Sequence, residues 1–351
     1  DNQRTSMVRK LKNRSPEAVA NGAGSVTLID VARVAGVAPM TVSRALHRPE
    51  LVREATQKKV LEAVRATGYV PNMLAGGLAS SKSRLVAVLL PTIASSIFAE
   101  TVQALMDGLS TVGYQTLIGL TGYSASREET LVEALLGRRP DAIVLAGTDH
   151  TGATADRLAR AGIPVVEIWD LTEQPIDMVI GFSHERVGEA VARHLVGKGY
   201  RRFGIVSVDD PRGLRRCESL RTELAKHGLT DCPFEVLPAP ATLEGGRRGL
   251  ARMLGRARPE VIVCSSDTLA EGVLMEAASR GLAVPRDLAV MGFGDLSMAA
   301  QLHPALSTVK VGGADIGKRT AQALLDRFES GAHDTPLRVD TGFTIIDRDS
   351  A

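Results

Sequence analysis

At 351 residues the chain is too long for one ordinary core and long enough for a small module beside one large or two medium ones. Hydrophobic residues at 44% and charged residues at 23% argue against bulk disorder, and the longest apolar stretch, residues 85–91, falls far short of the ~20 residues that span a bilayer. The net charge of +2 hides a division: residues 1–84 hold 14 Lys and Arg against 6 Asp and Glu, a net of +8, which leaves −6 for the rest. A basic segment on a mildly acidic body reads either as a part that meets phosphates or as a solvated basic face. With no apolar signal segment near the start, a cytoplasmic protein is expected.

Residues 1–25 are polar and carry the basic run Arg9, Lys10, Lys12 and Arg14, so they read as a flexible arm. From Thr27 the text becomes TLIDVARVAGVAPMTVSRALHR. Thr27 is an N-cap residue, Leu28, Val31, Ala32 and Ala35 share one helical face, and Gly36 stops the helix. A second helix starts at Pro39, where a missing N–H costs nothing, and runs through Val42 to Leu46. Small Ala32 permits close approach of the two helices, Gly36 supplies a positive φ, and Val42 wedges the second helix onto the first. A third helix, residues 53–67, is expected to close the core with Val60, Leu61 and Val64. Together with the basic charge, this spacing predicts an all-α, helix-turn-helix DNA-binding domain over residues 26–70. Pro39, Met40 and Arg44 then face base edges, with Thr41 and Ser43 placed for phosphates and Thr27 capping at the interface; Arg44 could otherwise be a solvated helix charge.

Next comes YVPN at residues 69–72, with Asn72 able to cap a short helix reaching Ala79. Gly76 and Gly77 each weaken that helix by roughly 1 kcal/mol relative to Ala, so residues 71–83 read as a marginal hinge helix and linker. The helix-turn-helix run, the YVPN hinge and the segment after it closely resemble the lactose-repressor family of bacterial transcription factors, and the resemblance extends along essentially the whole chain from Val26. It implies that hinge helices of two subunits fold on the operator, that Leu78 enters the minor groove, and that Ala75 packs against its dimer mate. The chain departs from the pattern at Ala38, where a capping Ser is usual, and at Arg53, where a Ser often begins the third helix.

Over residues 84–351 short apolar strands alternate with helical segments. Strands are expected at Leu85–Leu90, Gln115–Leu120, 141–145, Val165–Ile168, Met178–Gly181, 203–206, Val261–Cys264 and 288–292. This order predicts right-handed βαβ units, repeated before and after about residue 175, in two doubly wound parallel-sheet subdomains with a crevice at the strand ends. The resemblance implies the same α/β architecture, that of periplasmic binding proteins, with the chain crossing between halves and a late strand near Val309 returning the C-terminal helix to the first. Cys217, Cys232 and Cys264 have no paired or metal-type spacing and read as packing residues.

Pocket residues should follow strands. Trp169, the only tryptophan, suits the apolar face of a polyol, or fills the core; Asp170 can accept hydroxyl hydrogen bonds. After residues 203–206 comes the cluster Arg212, Arg215, Arg216 and Arg221, either pocket cations or a solvated helix face. By family position Arg216 grips the effector, Asp267 bonds its hydroxyls, and Asp295 follows the next strand, with Gly294 replacing the first of two acids usual there; Phe98 and Ser96 complete the roof. No Gly-rich phosphate loop, clustered histidines or G-x-S-x-G elbow appears, and His184 reads as a capping or packing residue, so no enzyme, cofactor or metal is expected. The combination resembles gluconate-utilisation repressors. It implies a regulator, homodimeric or assembled further into a tetramer, that binds a palindromic DNA operator and responds to a sugar acid such as gluconate. A ketogluconate, phosphorylated sugar or neutral sugar as effector, or a solute receptor that does not bind DNA, are the rival readings.

Overall fold

The structure, a computed structural model, describes residues 26–70, 82–94, 96–331 and 336–351. The chain divides into two compact units, residues 1–81 and 82–351.

In the first unit, α1 (Leu28–Ala35), α2 (Pro39–His47) and α3 (Glu54–Thr67) enclose Val31, Ala32, Val42, Ala45, Val60 and Ala63. Thr27 begins α1 in extended geometry; the Asp30 carboxylate accepts from its N–H at 3.0 Å and from its hydroxyl at 2.7 Å. Gly36 ends α1 at φ +66°, and the Val37 N–H returns to the Ala32 carbonyl at 3.1 Å, so the turn into α2 is closed by backbone alone. No side chain caps α2 at Ala38 or α3 at Arg53, which agrees with the missing serines. One expectation fails: Leu61 is exposed, and Ala63 takes its place beside Val60. Residues 60, 63 and 64 share a helical face, and 61 is turned roughly 100° from 60.

The second unit holds two parallel sheets. Sheet one contains β1 (Leu85–Leu90), β2 (Gln115–Leu120), β3 (Ala142–Ala146), β4 (Val165–Ile168), β5 (Met178–Gly181) and β11 (Leu337–Asp340), in the order β11-β5-β4-β3-β1-β2. Between these strands run α4 (Ala99–Ser110), α5 (Ala125–Leu136) and α6 (Gly152–Ala159). Sheet two contains β6 (Phe203–Val208), β7 (Phe234–Leu237), β8 (Val261–Cys264) and β9 (Ala289–Met291), in the order β7-β6-β8-β9. Its helices are α7 (His184–Gly197), α8 (Pro211–Lys226), α9 (Leu243–Arg256) and α10 (Asp267–Ser279). All paired strands within the two sheets are parallel. The central strands of each are buried along their length save for one partly exposed end residue in β1 and in β3, as helices on both faces require.

The switch between halves lies after Gly181, because β5 still pairs with β4, rather than near residue 175. The chain leaves sheet two through β10 (Thr308–Lys310), which pairs antiparallel with β12 (Thr344–Ile346), and enters α11 (Gly313–Ser330). As expected, α11 returns to the first half: a Cβ on its Gly317 would lie 2.3 Å from the Thr101 carbonyl oxygen of α4. Three strands escape the sequence reading. The pair β7 and β11 are edge strands of partly exposed residues, and β12 is a three-residue ribbon.

Candidate functional site

On α2, Pro39, Met40 and Arg44 are exposed, and Met40 is 63% exposed despite being apolar. Thr41 and Ser43 are half-buried beside them and Thr27 is exposed at the start of α1. Val42 and Ala45 on the opposite face are buried, so core packing fixes which face α2 presents. Asn72, Ala75 and Leu78 lie outside the described residues, as do Gly76 and Gly77.

In the second unit a cavity opens where the strands of both sheets end. Phe98, Trp169, Arg212 and Arg216 line it together with Ile97, Tyr123, His184, Asp210, Ser265 and Phe293. Trp169, at φ +64° after β4, meets Phe98 edge-on with ring centroids 5.3 Å apart. Arg216, on α8, donates from Nη2 to the Ser265 carbonyl at 2.7 Å, and its guanidinium lies 3.7 Å from the centre of the Phe293 ring. Burial lowers its pKa to about 10, which leaves it charged near neutrality. Arg212, one turn earlier, reaches Asp210 Oδ1 from Nη2 at 3.1 Å and stands over Phe98 at 5.3 Å. Burial first, then Arg216 and Arg212, hold His184 well below the ordinary imidazole pKa, so it is neutral. The ionised lining is thus two arginines and one aspartate.

Four expected residues are absent from this lining. Ser96 is exposed, and its neighbour Ile97 points in instead. Asp170 is fully buried: its Oδ2 accepts from Thr148 at 2.9 Å and from Arg215, and its Oδ1 from the Leu171 N–H at 2.8 Å. Asp267 is equally buried, accepting from the Thr308 hydroxyl at 2.5 Å and the Leu296 N–H at 2.8 Å. Asp295 pairs with Arg348 at 2.7 Å and Lys310 at 3.5 Å. Sequence reasoning missed Tyr123, Asp210 and Phe293, and it read His184 as a capping or packing residue, whereas Ser183 is the cap and His184 lines the cavity. Asp210 immediately precedes Pro211, a helix-start signal at a strand end, and could have been found; Phe293 carried only its neighbouring glycines as a sign. Among the described residues no group of His, Cys, Asp and Glu could hold a metal, and no helix is long and apolar enough to cross a membrane.

A helix-turn-helix unit with an exposed second helix, joined to a two-sheet core with a charged crevice, defines a ligand-responsive DNA-binding regulator. A family model described as bacterial regulatory proteins, lacI family, matches residues 27–72, and one described as a periplasmic binding protein-like domain matches residues 192–351. The HTH-type transcriptional regulator GntR of Pseudomonas aeruginosa is 38% identical over 331 residues, covering 93% of this chain and 96% of that protein. GntR of Escherichia coli is 30% identical over 321 residues, covering 91% and 96%. A solved LacI-family transcriptional regulator from Silicibacter pomeroyi superposes with a TM-score of 0.87 at 32% identity, covering 93% of this chain and 99% of that one. The chain belongs to the lacI family of bacterial transcriptional regulators.

Proposed function

We propose that this protein is a repressor that binds a palindromic operator as a homodimer and is released by a sugar acid, with gluconate the first candidate and a keto- or phospho-derivative next. The observation that carries the reading is the cavity's charge: Arg212 and Arg216 against the single carboxylate Asp210 leave one net positive charge beside the apolar faces of Trp169 and Phe98. A monoanionic polyol offers a carboxylate to a guanidinium and C–H faces to the rings, whereas a neutral pyranose leaves that charge unanswered in a low-dielectric site. Trp169-Asp170, the arginine-rich turn and the Gly-Phe-Gly-Asp run, the combination through which the sequence resembles gluconate-utilisation repressors, support the same ligand class.

On the DNA side, Arg44, Met40 and Pro39 choose bases while Thr41, Ser43 and Thr27 meet the backbone, and Asn72, Ala75 and Leu78 of the hinge complete the interface. Two identical reading heads in a two-fold dimer require a symmetric site. Calorimetry with gluconate, 2-ketogluconate, 6-phosphogluconate and neutral hexoses, with operator release as a parallel readout, tests the ligand class. An acid should bind best and release operator; a neutral hexose binding best would sink the reading.

A further inference from the structure

One buried histidine joins residues of the two halves. His184 is 1% exposed and opens α7 directly after sheet one. Its Nδ1 lies 2.8 Å from Nη1 of Arg216, and its Nε2 lies 2.9 Å from the Trp169 carbonyl oxygen. A guanidinium only donates and a carbonyl only accepts, so both bonds coexist in a single state, the neutral ring with its proton on Nε2. The same direction of donation continues beyond Trp169. Its indole N–H donates to the Thr101 hydroxyl at 2.9 Å, and that hydroxyl donates to the Gly313 carbonyl at 2.8 Å. Thr101 lies on α4 and Gly313 begins α11, both in the first half, whereas Arg216 lies on α8 in the second.

We infer that His184 is a positioning residue for effector recognition: as the neutral Nε2–H tautomer it orients the Arg216 fork and passes a displacement of that fork to Trp169 and the α4–α11 pair. The inference rests on the reading that Arg216 meets the effector. The charged groups facing the ring are Asp170 from the end of β4, with Oδ1 4.0 Å from Nε2, and Arg212, Arg215 and Arg216 from α8. Asp170 is already held by Arg215 and Thr148, and the remaining neighbours are the aromatic Phe182 and Phe293. A proton on Nδ1 would point at a guanidinium and break the link, so acid uncouples the relay.

The full chain serves for the test. Nitrogen-15 NMR of the histidine rings should show His184 as the neutral Nε2–H tautomer at pH 7 and still so at about pH 5, below the ordinary imidazole range. An Nδ1–H tautomer or an imidazolium overturns the inference. Trp169 is the only tryptophan, so its emission reports on the relay directly. His184→Gln keeps one neutral acceptor and one donor, and should retain wild-type emission and gluconate affinity within about threefold. His184→Asn is too short to reach both partners; it should shift the emission and raise the gluconate needed for operator release by about tenfold or more. Wild-type behaviour in His184→Asn overturns the inference, and so does loss in both variants while both melt as folded proteins. Should no acid bind the wild-type chain, the effector reading fails by itself, while the tautomer and the emission comparison still decide the role of His184.

Discussion

Arg216 sits where the cavity's charge, its aromatic wall and the relay to Trp169 meet, so its removal separates ligand recognition from folding. Arg216→Ala should weaken gluconate binding by roughly 10- to 100-fold, the worth of a charge-assisted fork, while leaving ligand-free operator affinity near wild type. Arg216→Lys should recover only part of the loss, because an ammonium cannot both bridge His184 to Ser265 and stack on Phe293. Calorimetry and gel shift on the same preparations check the split; equal losses in both would remove Arg216 from the ligand site. Asp267 makes a different prediction. Burial pushes its carboxyl up to about 6 from an unfolded value of 3.8, so over that interval the folded chain binds more protons than the unfolded one. Stability therefore falls as pH rises from about 4 to about 6, and the cost, about 2–3 kcal/mol, is fully present above that window. Asp267→Asn should flatten this part of the pH–stability curve, as urea unfolding at several pH values would show. The acids also mark the limit of reading sites from sequence. Asp170, Asp267 and Asp295 do follow strands, as crevice residues should, yet Arg215, Thr308 and Arg348 consume their oxygens from 45, 41 and 53 residues away. Local pattern carries no sign of such partners. Arg212 and Arg216 do line the cavity, but Arg216 was placed there by family position and not by local pattern.

At the scale of elements, the first unit was legible because each signal acts within one turn: Thr27 with Asp30, Gly36 at positive φ, and Pro39 at the start of α2. Among the described residues its core is six buried side chains, so Val42, fully buried, carries a large share of it. Val42→Ala should cost roughly 2 kcal/mol by loss of burial plus an unfilled space, enough to melt a unit this small. Specific operator binding should vanish while ligand binding by the core persists, and amide exchange on α1 to α3 would register the loosening. Strands of the core declared themselves through apolar runs, and the four-residue β7 and β11 did not; edge position alone is not the reason, since β2 is an edge strand with no fully buried residue and was found. Helix pairing is set by something subtler. Gly317 allows α11 to approach α4 so closely that a methyl would strike the Thr101 carbonyl, the residue through which the relay reaches Gly313. Gly317→Ala should therefore destabilise the core by about 1–3 kcal/mol and shift Trp169 emission. A change in urea midpoint without any change in emission would mean that the pair bears load but carries no signal.

For the whole molecule, the division of charge and the division of labour coincide. The first unit, residues 1–81, holds 12 Lys and Arg against 6 Asp and Glu, a net of +6, so operator affinity should fall steeply with salt, by roughly 0.9 decades per decade of salt for each phosphate contacted. Ligand affinity, set inside the core, should respond far less. Coupling between the two sites has a stricter consequence. If gluconate lowers operator affinity by about a hundredfold, then operator must lower gluconate affinity by the same factor, because both measure one free energy of about 2.7 kcal/mol. Titrating gluconate into the free protein and into the operator complex gives one side of the cycle; titrating operator with and without saturating gluconate gives the other. Leu78→Ala enters this cycle as the discriminating variant. If residues 71–83 carry the signal, it should weaken specific operator binding and shrink both legs of the cycle together, yet leave the gluconate affinity of the free protein unchanged. A variant that lost operator affinity but kept the full coupling factor would place the control element elsewhere, in the reading unit or in the core, and would refute the hinge as the switch.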